Sequence, residues 1–366
     1  MSSTLQEDRI LGQRPRLQEA CVKLNGLAEQ LDADEKLPTM VELRSQLGIS
    51  VQTLNDAVRE LEKRDILRSV RGVGIYVAQK RGRLVTGNVG FVSASPKTDI
   101  NYWGLLLAGM SEAASQRGCH LLLIDNIKTF EEWEKIDGAL LYFSQNPRSP
   151  HLEMPKPPRG LPCVTILNRL PHIACVETDD VDGGYQLTRH LIECGHRRIG
   201  YLARSGVNLS QLDNRKEGYL KALSEANIDP DPQWQRQLPM EKKWNGVYME
   251  AGEFYMRRWL EEDWHELGCT ALVTQNDDTA RGAIAALEAA GVKVPRDVSV
   301  TGYDGLPPYP EMRRLTTIQV PLFDVGKQAM SSLLDWVANP EQPSGNTCLP
   351  IRFIEGQTTA RPFSTN

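Results

Sequence analysis

The sequence predicts two parts of different fold class. The first is a small α+β domain over residues 1–78, and the second is a larger α/β core over residues 89–366 with two lobes built on parallel sheets. Short amphipathic helices and two short strands fill the first part, whereas strands and helices alternate through the second, as parallel sheets require. The polar segment 79–88, QKRGRLVTGN, separates them and is predicted to be a linker.

Size and composition exclude several classes of protein. The 366 residues, 40% of them hydrophobic and 24% charged, suffice for two or three domains. No apolar run is long enough to cross a bilayer and the first residues lack a signal-peptide core, so we expect a cytoplasmic protein with no membrane partner. Seven cysteines without CxxC spacing fit a reducing compartment. We predict no metal and no cofactor.

The charge of the chain is unevenly distributed. The whole chain has a formal net charge of −5, yet residues 59–83 carry eight Lys or Arg against three Asp or Glu. A basic patch on an acidic protein is typical of a contact with nucleic acid. A solvated basic face without a partner explains the charge alone equally well.

The N-terminal domain is predicted to contain three helices. The first covers about residues 15–31, where leucines recur at helical spacing. Thr39 and Glu42 have the spacing of a capping box and open a short second helix that stops at Gly48. Ser50 can cap the third. Two short helices at this spacing are typical of a helix-turn-helix.

Two short strands, 66–70 and 75–78, follow the third helix and are joined through Arg71-Gly72-Val73-Gly74. They predict a hairpin of the kind called a wing. The segment 37–78, including LPTMVELRSQLGIS and RGVGIYVA, resembles the winged helix-turn-helix of GntR-family regulators. The resemblance implies that this domain binds operator DNA.

The candidate DNA-binding residues lie on the second and third helices and the wing. They are Arg44, Gln52, Thr53, Asn55, Arg59, Arg68, Arg71, Gly72 and Gly74. Gln and Asn can make paired hydrogen bonds to adenine, so A·T-rich half-sites are expected. GntR-family members usually have DNA-contacting arginines where this chain has Val41, Val51 and Asn55. Each missing arginine removes a possible contact with a DNA phosphate and so weakens binding. The alternative is a head that serves only packing or dimer contacts.

Residues 270–305 form the clearest unit of the core. An apolar run, the polar residues Gln275-Asn276-Asp277-Asp278, an alanine-rich helix and a second strand make one βαβ unit. Because such crossovers are right-handed, Asn276 and Asp304 follow strands that end at the same sheet edge. Ligands bind at that edge in open α/β sheets.

The same alternation extends on both sides of this unit. Further strands are predicted at 86–95, 120–125, 138–143, 164–167, 175–177, 199–203 and 349–354, and further helices at 102–117, 183–193, 208–226, 246–259 and 325–336. Only about a dozen residues separate the second and third of these strands, so we expect a shortened first lobe. The proline-rich stretch 145–160 is predicted to be a loop.

The core resembles the ligand-binding core of LacI-family regulators, which is similar in fold to periplasmic sugar-binding proteins. The resemblance covers residues 89–335, and its main motifs are GHRRI at 195–199, VPRDVSV at 294–300, GYD at 302–304 and LTT at 315–317. A GntR-type head joined to such a core is also similar to AraR-type repressors of arabinose operons.

The resemblance implies a cleft between the lobes that holds a small hydroxylated ligand. The candidate ligand-binding residues are Ser93, Tyr102, Trp103, Tyr142, Arg169, Arg215, Asn276 and Asp304. Structural alternatives stay open for several of them. Arg215 can form a surface ion pair with Glu217 or Asp213, and Asn276 can cap a helix. Asp304 can bond loop amides, and the aromatic residues can belong to the core. A neutral sugar such as a pentose is expected.

These patterns predict a sugar-responsive transcriptional regulator, a repressor of a carbohydrate-use operon that binds a palindromic operator as a homodimer. The alternative is a sugar-binding module whose degenerate head does not read DNA specifically. An enzyme is not expected, because the sequence lacks GxSxG, GxxxxGK[ST] and HExxH motifs.

Overall fold

The computed structural model describes most of the chain. The described residues are 15–28, 30–31, 34–63, 66–78, 86–93, 100–124, 133–142, 157–158, 160–204, 210–238, 248–308 and 311–363. Most of the predicted linker 79–88 and of the predicted loop 145–160 lies outside them. Residues 125–132, on which the expectation of a shortened first lobe rests, also lie outside.

The described part of the N-terminal domain has the predicted order of elements. Its helices are α1 (Pro15–Ala28), α2 (Met40–Leu47) and α3 (Val51–Lys63), and its antiparallel strands are β1 (Leu67–Val70) and β2 (Gly74–Val77). Leucines from all three helices and from β1 are fully or almost fully buried together, namely Leu24, Leu43, Leu54, Leu61 and Leu67. The winged helix-turn-helix prediction is therefore confirmed.

Local hydrogen bonds explain where α2 and α3 begin and end. The Thr39 N–H donates to the Glu42 carboxylate (2.7 Å) and the Glu42 N–H donates to Thr39 Oγ1 (3.4 Å), which completes the capping box. Gly48 ends α2 at a φ of 66°, where glycine is favoured. Ser50 Oγ then accepts the Thr53 N–H (3.1 Å) at the start of α3.

The core consists of twelve strands and seven helices within the described residues. They are β3 (Asn88–Ser93), α4 (Ile100–Gln116), β4 (His120–Ile124), β5 (Gly138–Tyr142), β6 (Cys163–Ile166), β7 (Ala174–Thr178), α5 (Asp180–Glu193), β8 (Ile199–Arg204), α6 (Ser210–Glu225), β9 (Gln235–Leu238), α7 (Tyr248–Glu262), α8 (Trp264–Leu267), β10 (Ala271–Thr274), α9 (Asp277–Ala289), β11 (Ser299–Thr301), β12 (Thr317–Gln319), α10 (Leu322–Ala338), β13 (Thr347–Leu349) and β14 (Arg352–Ile354).

The first lobe is built on a six-stranded parallel sheet with the order β4-β3-β5-β6-β7-β13. Helices α4 and α10 cover one face, where Met110 and Met330 pack on Phe91 and Leu140. Trp133 belongs to a smaller cluster on other strand residues of the same sheet. All six strands therefore end at one edge of the lobe.

The second lobe is built on a four-stranded parallel sheet with the order β9-β8-β10-β11. Leu191 of α5 and Tyr219 of α6 pack on one face, whereas Trp259 of α7 and Leu287 of α9 pack on the other. The predicted βαβ unit is present as β10, α9 and β11. The carboxyl ends of these strands bring the polar segments after β10 and β11 together.

The predicted closing strand 349–354 is wrong in one respect. It consists of two strands, because β13 adds to the first-lobe sheet whereas β14 pairs antiparallel with β12. Pro350 lies between them and has no N–H to donate, so a continuous ladder cannot pass through it.

The segment after β14 is held against the second lobe. Thr358 Oγ1 donates to the Val300 carbonyl (2.7 Å), and the Val300 N–H donates to the Thr358 carbonyl (2.8 Å). The Ala360 N–H donates to Ser299 Oγ (3.0 Å), and the Ala360 carbonyl lies 2.9 Å from Nε2 of the buried His196. Residues near the C-terminus thus complete the edge of the β11 strand.

Three pairs of helices in the core cross with their backbones in contact. A Cβ atom placed on Gly109 of α4 would lie 1.9 Å from the Phe323 carbonyl oxygen of α10, and one on Gly184 of α5 would lie 2.1 Å from the Arg215 carbonyl oxygen of α6. The α7–α9 pair crosses in the same way at Gly282. Among the described helices, none combines the length and hydropathy of a membrane span.

Candidate functional site

Arg215 of α6 contacts charged, polar and aromatic groups from three other segments. Its side chain is buried, with 7% of the residue exposed. Nε donates to Asp180 Oδ1 (2.9 Å), Nη1 donates to the Gln275 carbonyl (2.6 Å), and Nη2 lies 3.8 Å from Asp304 Oδ1. The guanidinium carbon lies 3.6 Å from the centre of the Tyr303 ring. We call Arg215, Asp180, Tyr303 and Asp304 the Arg215 cluster.

The electrostatics of the cluster keep Arg215 charged. Burial by itself lowers the pKa of Arg215, but Asp180 above all, together with Tyr303 and Asp304, raises it above its ordinary value. Burial raises the pKa of Asp180, and the nearby guanidinium opposes that rise. One cation therefore faces two carboxyl groups. Such a site has no surplus positive charge for an anionic ligand, but it can exchange hydrogen bonds with hydroxyl groups.

Asp304 is held in an unusual backbone conformation. Its φ is 107°, which non-glycine residues rarely adopt and which costs on the order of 1–3 kcal/mol. Its N–H donates to the Ile318 carbonyl (2.9 Å) and its carbonyl accepts the Val320 N–H (3.1 Å), so pairing with the following strand segment fixes it there. Strain of this kind concentrates at functional sites, which favours a functional role for Asp304.

The two polar residues at the start of α9 have structural roles. Asn276 Oδ1 accepts the Thr279 N–H (2.9 Å), so Asn276 caps the helix, which was the structural alternative for this residue. Asp277 is buried and accepts hydrogen bonds from Thr317 Oγ1 (2.6 Å) and the Leu306 N–H (2.7 Å). Burial raises the pKa of Asp277 to about 7. Asp277 thereby ties α9 to the loop that carries Asp304.

The aromatic residues of the first lobe reach the Arg215 cluster. Trp103 is 7% exposed and packs edge-on against Tyr142, with ring centres 4.8 Å apart, so it is chiefly a core residue. Tyr102 and Tyr142 are half-buried, and burial raises the pKa of both hydroxyls. The charges of Asp304 and Arg215 act on the same two hydroxyls. Tyr102 and Tyr142 also pack against the hydrophobic cluster that contains Tyr303, so both lie where the first lobe faces the second.

The remaining two predicted ligand residues differ in exposure. Ser93 is 1% exposed at the end of β3, on the sheet edge at which the first-lobe strands end. Arg169 is exposed and its Nε donates to both carboxylate oxygens of Glu177 (2.9 and 3.0 Å). An exposed pair of this kind contributes little stability. Arg169 does not contact Arg215 in the described residues.

Sequence reasoning missed two members of the cluster, Asp180 and Tyr303. Arg215 is buried against Asp180, whereas Glu217, one of its two expected partners, is exposed two positions further along α6. Residues two apart on a helix do not share a face. Asp180 follows the end of β7, so the strand-end argument that selected Asp304 would also have selected it.

The predicted DNA-binding residues lie on α2, α3 and the wing, which is formed by β1, β2 and their turn. The exposed side chains are those of Arg44, Gln52, Asn55, Arg59, Arg68 and Arg71. Thr53 is half-buried, with its hydroxyl 2.8 Å from Ser50 Oγ, so it supports the helix cap. Gly72 and Gly74 have φ values of 75° and 148°, which the hairpin turn requires.

Two of these side chains bond other described residues of the head. Gln52 Nε2 donates to Asp56 Oδ1 (3.2 Å). Arg68 Nη2 donates to Asp34 Oδ1 (3.0 Å), and the Arg68 guanidinium carbon lies 5.4 Å from the centre of the Tyr76 ring. Both contacts are solvent-exposed and therefore weak. They orient the two side chains without withdrawing them from a ligand.

Models of known protein families match both parts of the chain. Residues 27–77 match the family of bacterial regulatory proteins named gntR, and residues 188–359 match the periplasmic binding protein-like domain. The second match includes Arg215, Asn276 and Asp304. These matches confirm the predicted pairing of a GntR-type head with a periplasmic-binding-protein-like core.

Individual proteins match over most of their length. The arabinose metabolism transcriptional repressor of Geobacillus stearothermophilus is 27% identical over 328 residues, which cover 85% of this chain and 87% of the repressor. The HTH-type transcriptional repressor CytR of Escherichia coli (strain K12) is 27% identical over 357 residues, which cover 90% and 98%. A crystal structure of a LacI family transcriptional regulator from Enterococcus faecium with bound ribose is 24% identical, with a TM-score of 0.60 over 75% of this chain and 99% of that one. The core therefore has the LacI-type fold.

Proposed function

We infer that this chain, with its gntR-family head and periplasmic-binding-protein-like core, is a transcriptional repressor whose affinity for DNA is controlled by a small effector. The observation that carries this conclusion is the presence of both domains in one chain. Repressors that are similar over at least 85% of the chain support it.

The effector that suits the Arg215 cluster is a neutral, hydroxylated molecule. Arg215 is already faced by Asp180 and Asp304, so a phosphate or carboxylate group would meet two carboxyl groups as well as one cation. The hydroxyls of Tyr102 and Tyr142 add polar groups from the opposite lobe. We propose a sugar, and a pentose first, because one relative is an arabinose repressor and one similar structure contains ribose.

The proposed assembly is a cytoplasmic homodimer on a palindromic operator. A two-fold symmetric dimer presents two identical heads, and these suit two half-sites of opposite orientation. Effector in the cleft favours one arrangement of the lobes, and operator affinity changes by the ratio of effector affinities for the two arrangements. No catalytic step is proposed.

Thermal unfolding against a panel of pentoses, hexoses, nucleosides and their phosphates tests the effector site. A ligand that binds only the folded chain adds about 2.7 kcal/mol of stability at 100 times its Kd. Asp304→Asn should abolish the shift, and it keeps a residue type that tolerates positive φ. Asp229→Asn, at an exposed position, is the matched control. An equal shift in both variants would place the ligand elsewhere.

A second candidate function is a sugar-binding module whose head does not read DNA. The observation in its favour is that Val41 and Val51 occupy positions where GntR-family members usually have arginines. A gel shift with duplexes selected from a random library separates the two functions. If the chain retains no DNA sequence above background, the binding module is favoured.

A further inference from the structure

We propose that Val51 reads the 5-methyl group of a thymine in each operator half-site. This inference rests on the proposed function, since it concerns how the head recognises its operator. It assigns a specificity role to a residue that replaces a cation with an apolar side chain. The ligand group is the thymine methyl in the major groove of duplex DNA.

Val51 lies at the start of the second helix of the helix-turn-helix. Val51 is the first residue of α3, and 50% of it is exposed. The buried face of α3 is formed by Leu54, Ala57, Val58 and Leu61. Val51 borders this face, three residues before Leu54, and its place at the N-terminal end of α3 leaves half of it exposed to solvent. In a helix-turn-helix, the N-terminal residues of the second helix are the ones that contact base edges.

Two polar side chains lie next to Val51 on the surface of α3. Asn55 and Arg59 follow Val51 at intervals of four residues, so the three form one row along α3, and all three are exposed. An amide binds adenine N6 and N7, an apolar group contacts the thymine methyl, and a guanidinium binds guanine or phosphate. The row therefore matches adjacent A·T pairs, with Asn55 on an adenine and Val51 on a thymine.

Exposed apolar side chains are concentrated in the head. Large hydrophobic residues that are well exposed are few among the described residues, and half of them belong to the head: Val22, Val41, Val51 and Val73. Three of these four lie at the start of α2, the start of α3 and the tip of the wing. These are the elements that carry the predicted DNA-binding residues, which favours DNA as the partner of this surface.

Val51 contacts DNA without releasing a counterion from it. An arginine at position 51 would release a condensed counterion and steepen the dependence of binding on salt. A valine contributes only burial of apolar surface, which depends on the base and hardly on salt. Loss of the valine should therefore change specificity and leave the salt dependence unchanged.

The experiment uses the full chain and duplexes selected from a random library. In the selected duplex, each thymine is replaced in turn by deoxyuridine, which removes only the methyl group. We expect one replacement per half-site to weaken binding of the wild-type chain by about fourfold, the effect of burying one methyl-sized group. Val51→Ala should bind the thymine and deoxyuridine duplexes equally, with an unchanged salt slope.

Val22→Ala is the matched control, because Val22 is 58% exposed but lies on α1. It should keep the preference for thymine, and both variants should unfold at the wild-type temperature since neither side chain is buried. If the wild-type chain binds its selected duplex but tolerates every deoxyuridine, the inference is overturned and the proposed function stands. The same holds if Val51→Ala keeps the wild-type preference. If selection retains no duplex, both fail together.

Discussion

In the head, Asn55 and Arg59 extend from the surface of α3 into solvent, whereas in the core Arg215 is 7% exposed and bonded to Asp180 and to the Gln275 carbonyl. The difference suits the two proposed partners. DNA supplies its own charges and base edges, so the head needs only accessible side chains on a firm helix. The proposed effector is small and has few groups, so a site that binds it must hold its own polar groups in place beforehand. The effects of substitutions in the head should therefore be independent of one another, whereas those in the Arg215 cluster should be coupled.

The largest effect is expected from Arg215→Met. It removes the cation that pairs with Asp180, which is 3% exposed, and leaves a buried carboxyl group without a positive charge beside it. We expect the free energy of unfolding of the core to fall by about 3–5 kcal/mol. Urea unfolding followed by tryptophan fluorescence measures this directly, because all seven tryptophans lie between residues 103 and 336 and the head has none.

The control for this prediction is Arg44→Met in the head, which should change stability by less than about 0.5 kcal/mol. The double variant Asp180→Asn with Arg215→Met should lose less than the sum of the two single losses, since the same interaction is removed twice. Strictly additive losses would show that the cluster does not act as a unit.

An intermediate effect is expected where core helices cross. Gly184→Ala places a methyl group 2.1 Å from the Arg215 carbonyl oxygen, so α5 and α6 must separate, at a cost of about 1–3 kcal/mol. Gly26→Ala on α1 of the head meets nothing within 4 Å and should stabilise its helix by up to about 1 kcal/mol. Thermal unfolding measures the stability of both variants. Circular dichroism follows the helices of the whole chain, and tryptophan fluorescence follows the core alone. Destabilisation by both variants would mean that the head is as closely packed as the core.

The smallest effect is expected from Arg59→Gln, which removes one exposed cation from α3. The slope of log affinity against log salt should become shallower by about 0.9 if Arg59 contacts one phosphate, while core unfolding stays unchanged. Arg189→Gln, on an exposed position of α5, should alter neither quantity. Equal salt slopes for the wild type and Arg59→Gln would remove Arg59 from the interface.

Local signals in the sequence predicted the parts of the molecule that local chemistry determines. The capping box of Thr39 and Glu42 and the stop at Gly48 are visible in a few residues, and the structure confirms them. The βαβ unit around Asn276 is equally local, since the spacing of its apolar residues changes from that of a strand to that of a helix within ten residues. Handedness then places Asp304 on the correct sheet edge.

Long-range contacts explain what the sequence did not predict. Arg215 meets a residue 35 positions earlier and a carbonyl 60 positions later, so nothing in the neighbourhood of α6 indicates either partner. The sequence offers the Asn276 cap as an alternative, but whether the cap forms depends on where the fold places the Thr279 N–H. The break at Pro350 is different, because a proline inside a predicted strand is itself a local signal against that strand.

The C-terminal segment delays completion of the core while the chain is being synthesised. The head is complete once residue 78 has been synthesised, whereas the core needs β13 for its first sheet and Thr358 and Ala360 beside β11. At about 5–20 residues per second, translation separates these two points by tens of seconds. During that interval a nascent chain has a DNA-binding head but an unfinished core. A frameshift or stop codon after residue 340 would make that state permanent, leaving a head that no effector controls.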